Sequence, residues 1–412
     1  MLKVSKVFNY LYLLIGVPWL FFMIVTSRRF TLFKTILLII LTLVCLLEML
    51  IYNKSFCKKQ FIFIVIFVTY FTISLMYGIF REYDWNLKND FSLIQYYIIT
   101  PILILILVNI FNNKKRIYFT LNLLKYITLI TLILDILKIM SLKGLIPDID
   151  IFNLIYISSD VQGKELALRV SNEVSFIFLL PIYIVLFFSK KNNKKEKKIY
   201  FLIILLGILY SVLSGRKILE IVVFATLLFM VIKDMRYLNS KTIKNILAFI
   251  SIIVILFLML NYFSNSLDIE NIINKIVKTI MNGLDSNSYG MTKRTNNFEA
   301  LFLEWFKSPL WGNGLNSYST VSLASGTTKW AYEIVYVALL SQTGIIGIML
   351  FSFAIFYIVF NLLKYYRKSK RDIYLAFFMG FLSFIIAGAT NPLVYYLWPW
   401  LLCFMLCKYD FN

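Results

Sequence analysis

Three arginines, Arg169, Arg216 and Arg294, each border an apolar stretch suited to a membrane helix. Arg216 sits in ILYSVLSGRKILEIVVF (208–224), where only Ser214-Gly215-Arg216-Lys217 separates two apolar runs. A charge at the centre of a membrane helix costs roughly 2.5–3.5 kcal/mol on insertion scales, and charges that persist there are functional by default. Arginine keeps its charge and presents a planar fork of donors suited to bidentate phosphate contacts. The chemistry open to such residues is therefore the binding of a pyrophosphate at a membrane face. Simpler roles compete with it. Arg216 and Glu220 are spaced i,i+4 and can neutralise each other, and Lys217 can snorkel to the interface. Asp135 and Lys138 read as an i,i+3 ion pair within one apolar run, whereas Glu48 is unexplained by the sequence.

The chain contains no histidine, which removes histidine metal sites, histidine general bases and histidine triads. Cys45, Cys57, Cys403 and Cys407 form no CxxC pair, and Cys403 and Cys407 share a helix face as packing residues. Catalysis would have to rest on carboxylates, cationic side chains, tyrosines or hydroxyls, and neither a metal nor another cofactor is expected. WGNG (311–314) contains a lone G-x-G, but it follows a helical pattern and no Walker lysine accompanies it. It reads as a tight turn.

The elements that must carry these residues are membrane helices. Of 412 residues, 60% are hydrophobic, well above the 45–50% or so of a soluble domain, and mean hydropathy is +0.79. Apolar stretches recur along the whole length. They predict an all-α polytopic membrane protein with about twelve spans, near 8–26, 35–52, 61–80, 91–111, 117–138, 174–189, 199–214, 218–232, 245–263, 334–362, 373–389 and 393–407. No cleavable signal peptide is apparent, and residues 1–412 read as a single membrane domain.

The net charge of +21 marks loops rather than a nucleic-acid site. Five alternate loops, NKSFCKKQ, NNKKR, KKNNKKEKK, KDMRYLNSKTIK and KYYRKSKRD, hold 21 of the 42 basic residues, which places them and both termini in the cytoplasm. SRRFTLFK, after the first span, fits this orientation poorly. The other side receives a large extracytoplasmic loop, 264–333. Within it, Ile269, Ile272, Ile273, Ile276 and Ile280 predict one amphipathic helix, and Met291–Phe306 predicts a second that ends at Pro309. The same count puts SGRK, Arg169 and Arg294 on the outer face, against the positive-inside trend.

Four pieces of the chain, in this order, resemble the O-antigen polymerase and ligase superfamily, the Wzy-type polymerases of surface polysaccharides. They are ALRVSNEVSFIFLLP (167–181), LSGRKILE (213–220), KRTNNFEALFLEWFKSPLWGNGLNSY (293–318) and EIVYVALLSQTGIIG (333–347), with TNPLVYY (390–396) as a weaker fifth. The resemblance covers residues 163 to 350 and a short piece near the end. It departs from ligase members at Glu333, eleven residues before Gly344, where those members carry a histidine.

The resemblance implies metal-independent glycosyl transfer at the outer face of the bacterial cytoplasmic membrane. The substrates would be undecaprenyl-pyrophosphate-linked oligosaccharide repeats, with membrane lipid around the enzyme and a flippase and a chain-length regulator as further partners. It assigns Arg216 and Arg294 to the pyrophosphate, Glu333 to the general base, and Arg169, Asn172, Glu173, Lys217, Tyr332 and Tyr336 to the substrate. Glu333 has a second reading, as an ion-pair partner for one of the arginines. A ligase that passes glycan to another acceptor and a flippase of lipid-linked glycan are the alternative functions. The size of the outer loop and the absence of internal symmetry favour an enzyme over a transporter.

Overall fold

In a bilayer the backbone must satisfy its own hydrogen bonds, so long runs of Leu, Ile, Phe and Val become helices. The structure is a computed structural model that describes residues 2–26, 29–81, 87–111, 114–142, 146–147, 152, 155–156, 161–162, 169–170, 173–189, 192–214, 217–235, 289–321, 328–390 and 392–408. The first span consists of α1 (Leu2–Leu11), a π-helical turn (Tyr12–Gly16) and α2 (Val17–Val25). Next come α3 (Thr31–Ile51) and α4 (Lys58–Phe80). The next apolar run is α5 (Leu87–Ile94), a second π turn (Gln95–Ile99), α6 (Thr100–Leu107) and a 3₁₀ end. Then follow α7 (Lys114–Leu142), α8 (Glu173–Phe188), α9 (Lys194–Ser214) and α10 (Lys217–Met235). The C-terminal part holds α11 (Tyr289–Lys307), α12 (Val335–Ser369), α13 (Asp372–Gly388), a 3₁₀ turn (Pro392–Tyr395) and α14 (Leu397–Lys408).

Five helical segments among the described residues are long and apolar enough to cross a membrane: Lys6–Val25, Thr31–Ile51, Lys58–Phe80, Asp90–Ile110 and Val335–Ser369. Ser175–Phe188, Asp372–Gly388 and Leu397–Cys407 are shorter apolar helices. The expected span 245–263 and the isoleucine-rich segment that follows it lie outside the described residues. The helix expected over Met291–Phe306 is present as α11, one residue longer at its C-terminal end and two at its N-terminal end. The only β pairing among the described residues is antiparallel, Val161–Gln162 with Arg169–Val170.

α8 is the hub, packed against α9, α10 and α13. Its residues from Ser175 through Val185 are all buried, as expected for a helix that is apolar on every side. Bulky rings fill this centre: Phe178 meets Phe377, Phe384 and Trp398 edge-on.

A charged cluster pins the N-terminal helices and accounts for Glu48. Arg116 on α7 donates to Glu48 on α3 through both terminal nitrogens, Nη1 to Oε2 at 2.7 Å and Nη2 to Oε1 at 3.3 Å. Its Nε reaches Asn9 Oδ1 at 2.7 Å, and Lys54 Nζ approaches Glu48 Oε1 at 3.0 Å. Glu48 and Arg116 are both buried, so mutual pairing is what makes their burial tolerable. Further along α7, Asp135 accepts a hydrogen bond from the Tyr156 hydroxyl, and Lys138 lies over the Phe152 ring.

Candidate functional site

α11 and the start of α12 bring two of the sequence-predicted residues together. α11 runs alongside α12 in the same direction. Arg294 stands at Glu333, Leu301 packs with Tyr332 and Ala338, and the amides of Ile345 and Ile346 donate to Pro309 and Leu310. Arg294 directs two nitrogens at one carboxylate oxygen: Nε to Glu333 Oε2 at 3.1 Å and Nη2 to the same oxygen at 3.0 Å. The side chains are 39% and 50% exposed. The pair is therefore open to a ligand, and among the described residues neither the remaining guanidinium edge nor Glu333 Oε1 has another hydrogen-bond partner.

Tyr332 and Tyr336, close to Glu333 in sequence, direct their hydroxyls into the protein. The buried Tyr332 hydroxyl accepts the Ser319 amide at 2.9 Å, and the Tyr336 hydroxyl donates to the Ile385 carbonyl at 2.6 Å. Both therefore hold the segment that carries Glu333 in place.

Below the ion pair, WGNG is a turn, as its sequence predicts, and also a backbone clamp. α12 is broken at Gly344, whose φ of 63° is left-handed, and Gly312 has φ 75°. A Cβ on Gly312 would strike the Gln342 carbonyl and the Gly344 amide; one on Gly344 would strike the Leu310 carbonyl and the Gly312 amide. Each glycine exists because of the other. The break exposes peptide groups that the loop satisfies: Asn313 N donates to Ser341 O at 3.0 Å and Gly314 N to Gln342 O at 2.9 Å. Gln342 Nε2 returns to the Ser317 and Trp330 carbonyls at 3.1 Å each. The clamp extends to α4, where Leu315 N donates to Ser74 O at 3.1 Å and Gly314 rests on Gly78 without room for a Cβ.

Arg81, one residue beyond α4, belongs to this assembly and is not among the residues that the sequence singles out. Its Nη1 donates to Asn313 Oδ1 at 2.9 Å, while Asn313 Nδ2 donates to the Glu304 carbonyl of α11 at 2.7 Å. Its signal in the sequence is a lone arginine closing an apolar run, a weak one because cations commonly end such runs.

The other expected residues are placed less fully. Arg216 and Asn172 lie outside the described residues. Arg169 is in the short β pairing opposite Gln162, and Glu173 and Lys217 are the first residues of α8 and α10. The side chains of Arg169, Glu173 and Lys217 lie outside what the structure describes. The structure therefore brings Arg294 to Glu333.

Apolar helices of this length and packing define the class: a helical membrane protein. No protein-family model matches the chain, and no curated protein is significantly similar to it in sequence.

Proposed function

We propose that this protein polymerises undecaprenyl-pyrophosphate-linked oligosaccharide repeats at the outer face of the bacterial cytoplasmic membrane, as the product of about twelve spans with both termini cytoplasmic. The observation that carries the reading is the approach of Arg294 to Glu333. These residues come from two separate segments of the Wzy-like pattern and meet in one open site. An exposed ion pair contributes only about 0–1 kcal/mol to stability, so folding alone gives little reason for it.

In the proposed reaction a sugar hydroxyl of the incoming repeat attacks the anomeric carbon of the growing glycan. The new C–O bond forms as the bond to pyrophosphate breaks, and undecaprenyl pyrophosphate departs. Arg294, with Arg216, stabilises charge developing on the departing group. Glu333 accepts the hydroxyl proton, a role a carboxylate can take once attack has made that proton acidic. Arg169, Asn172, Glu173 and Lys217 orient substrate in this scheme, and Tyr332 and Tyr336 fix the Glu333 segment. A flippase and a chain-length regulator would be the protein partners.

Reconstitution with a defined lipid-linked repeat tests the proposal. Polymer ladders that remain on the lipid carrier support polymerisation. Transfer of glycan to a different acceptor identifies a ligase instead, and leaflet exchange without ladders identifies a flippase.

A further inference from the structure

α11 and the loop after it fall in the segment that charge and length alone assign to an extramembrane loop, yet they are fastened to the flanks of membrane helices. The loop touches α4 from Tyr70 to Gly78. Tyr70 stacks on Trp311 with ring centroids 6.1 Å apart, and Ser74 accepts the Leu315 amide. At 1.5 Å per residue these positions lie about 15 to 3 Å short of the end of α4 at Phe80. α4 is one of the helices long and apolar enough to cross a bilayer, and a bilayer that it crosses would reach this loop.

Irregular backbone survives at that depth only where it is buried and its polar groups are bonded. For the backbone from Gly312 to Leu315 both conditions hold. Gly312 through Ser317 are buried, and the amides of Gly312, Asn313, Gly314 and Leu315 donate to Ser308, Ser341, Gln342 and Ser74. The opposite side of the element is apolar and open. Phe298, Phe302 and Phe306 follow one another at i,i+4 along α11, with centroid separations of 5.6 and 4.9 Å. Phe298, Phe306, Leu310 and Trp311 are all exposed. Trp311 stacks on the buried Tyr70 of α4, a helix that leaves Ile73, Met76 and Phe80 exposed elsewhere. From Phe298 onward α11 carries three charged side chains: Glu299 is exposed, and Glu304 and Lys307 pair with each other at 2.7 Å. Lys293 and Arg294 stand at the other end.

We propose that α11 is a re-entrant membrane element that enters the bilayer beside α12 and turns back at Trp311–Gly314, with its phenylalanine stripe, Leu310 and Trp311 packed by the hydrocarbon chains of lipid. The Arg294–Glu333 pair then lies at the lipid headgroup level rather than on a water-borne loop. The inference rests on contacts and exposure, not on glycosyl transfer.

Cys45, Cys403 and Cys407 are buried and Cys57 is exposed, so a C57S background allows single cysteines to be read at the surface. N296C, F306C and L310C variants of the full chain, each checked for a monodisperse detergent profile, are reconstituted in phosphatidylcholine vesicles. A water-soluble maleimide is expected to label F306C and L310C at least about tenfold more slowly than N296C, because the reactive thiolate needs water. A bimane at 306 or 310 is expected to be quenched by brominated phosphatidylcholine, and a bimane at 296 much less. Equal labelling along the helix with no bromolipid quenching would place α11 in water and overturn the proposal. Slow labelling without bromolipid quenching would also overturn it, because protein rather than lipid would then cover the stripe. The outcome stands apart from any assay of polymer formation.

Discussion

Two ion pairs in this protein sit at opposite extremes of exposure, and physical chemistry assigns them opposite work. Arg294 and Glu333 are roughly 40–50% exposed, where a pair is worth about 0–1 kcal/mol. R294A and E333Q are therefore expected to leave the thermal midpoint in detergent nearly unchanged while removing polymer formation; unchanged chain-length distributions in cells would show that neither residue acts. Glu48 and Arg116 are buried, and deleting one partner strands a charge at a cost of about 3–5 kcal/mol. E48L should thus lower the thermal midpoint and the folded yield sharply, with E48L/R116L recovering part of the loss. A single E48L variant as stable as the parent would contradict that account. Glu48 was readable in the sequence as an anomaly but not as a buried pair, because Arg116 lies 68 residues away on another helix and Lys54 lies six residues on, beyond the helix end. Helical periodicity exposes only partners three or four positions apart.

Between α11 and α12 the unit of structure is the clamp. Gly312 and Gly344 hold left-handed backbone, which costs an L-residue about 1–2 kcal/mol, and each also lacks space for a Cβ. G312A and G344A are each expected to destabilise the protein by more than that strain alone. The double variant should cost less than the sum of the two, because both open the same contact; additive losses in a thermal-shift cycle would show that the glycines act separately. The extent of α11 could be read from Phe298, Leu301, Phe302 and Trp305 on one side of a helical pattern. The break in α12 could not, since one glycine within an apolar run has the same appearance whether the helix continues or opens. What identifies Gly344 is the WGNG loop folded against it, a contact across some thirty residues that no local pattern encodes.

At the scale of the molecule, hydropathy carried most of the architecture because membrane helices answer mainly to length and apolarity. It carried less of the membrane boundary. Segment 289–321 has the charge and length of an extramembrane loop, while its backbone bonds join it to α4 and α12. A pyrophosphate-binding site at the head of such an element would receive its substrate laterally from the lipid. The most direct test uses purified protein in vesicles supplied with an undecaprenyl-pyrophosphate-linked repeat, with glycan length resolved on a gel. The parent is predicted to build a ladder that remains on the lipid carrier, and R294A of equal thermal midpoint is predicted to build none. A ladder of equal length and yield from R294A, or no ladder from the parent, would contradict the assignment of this site to glycosyl transfer.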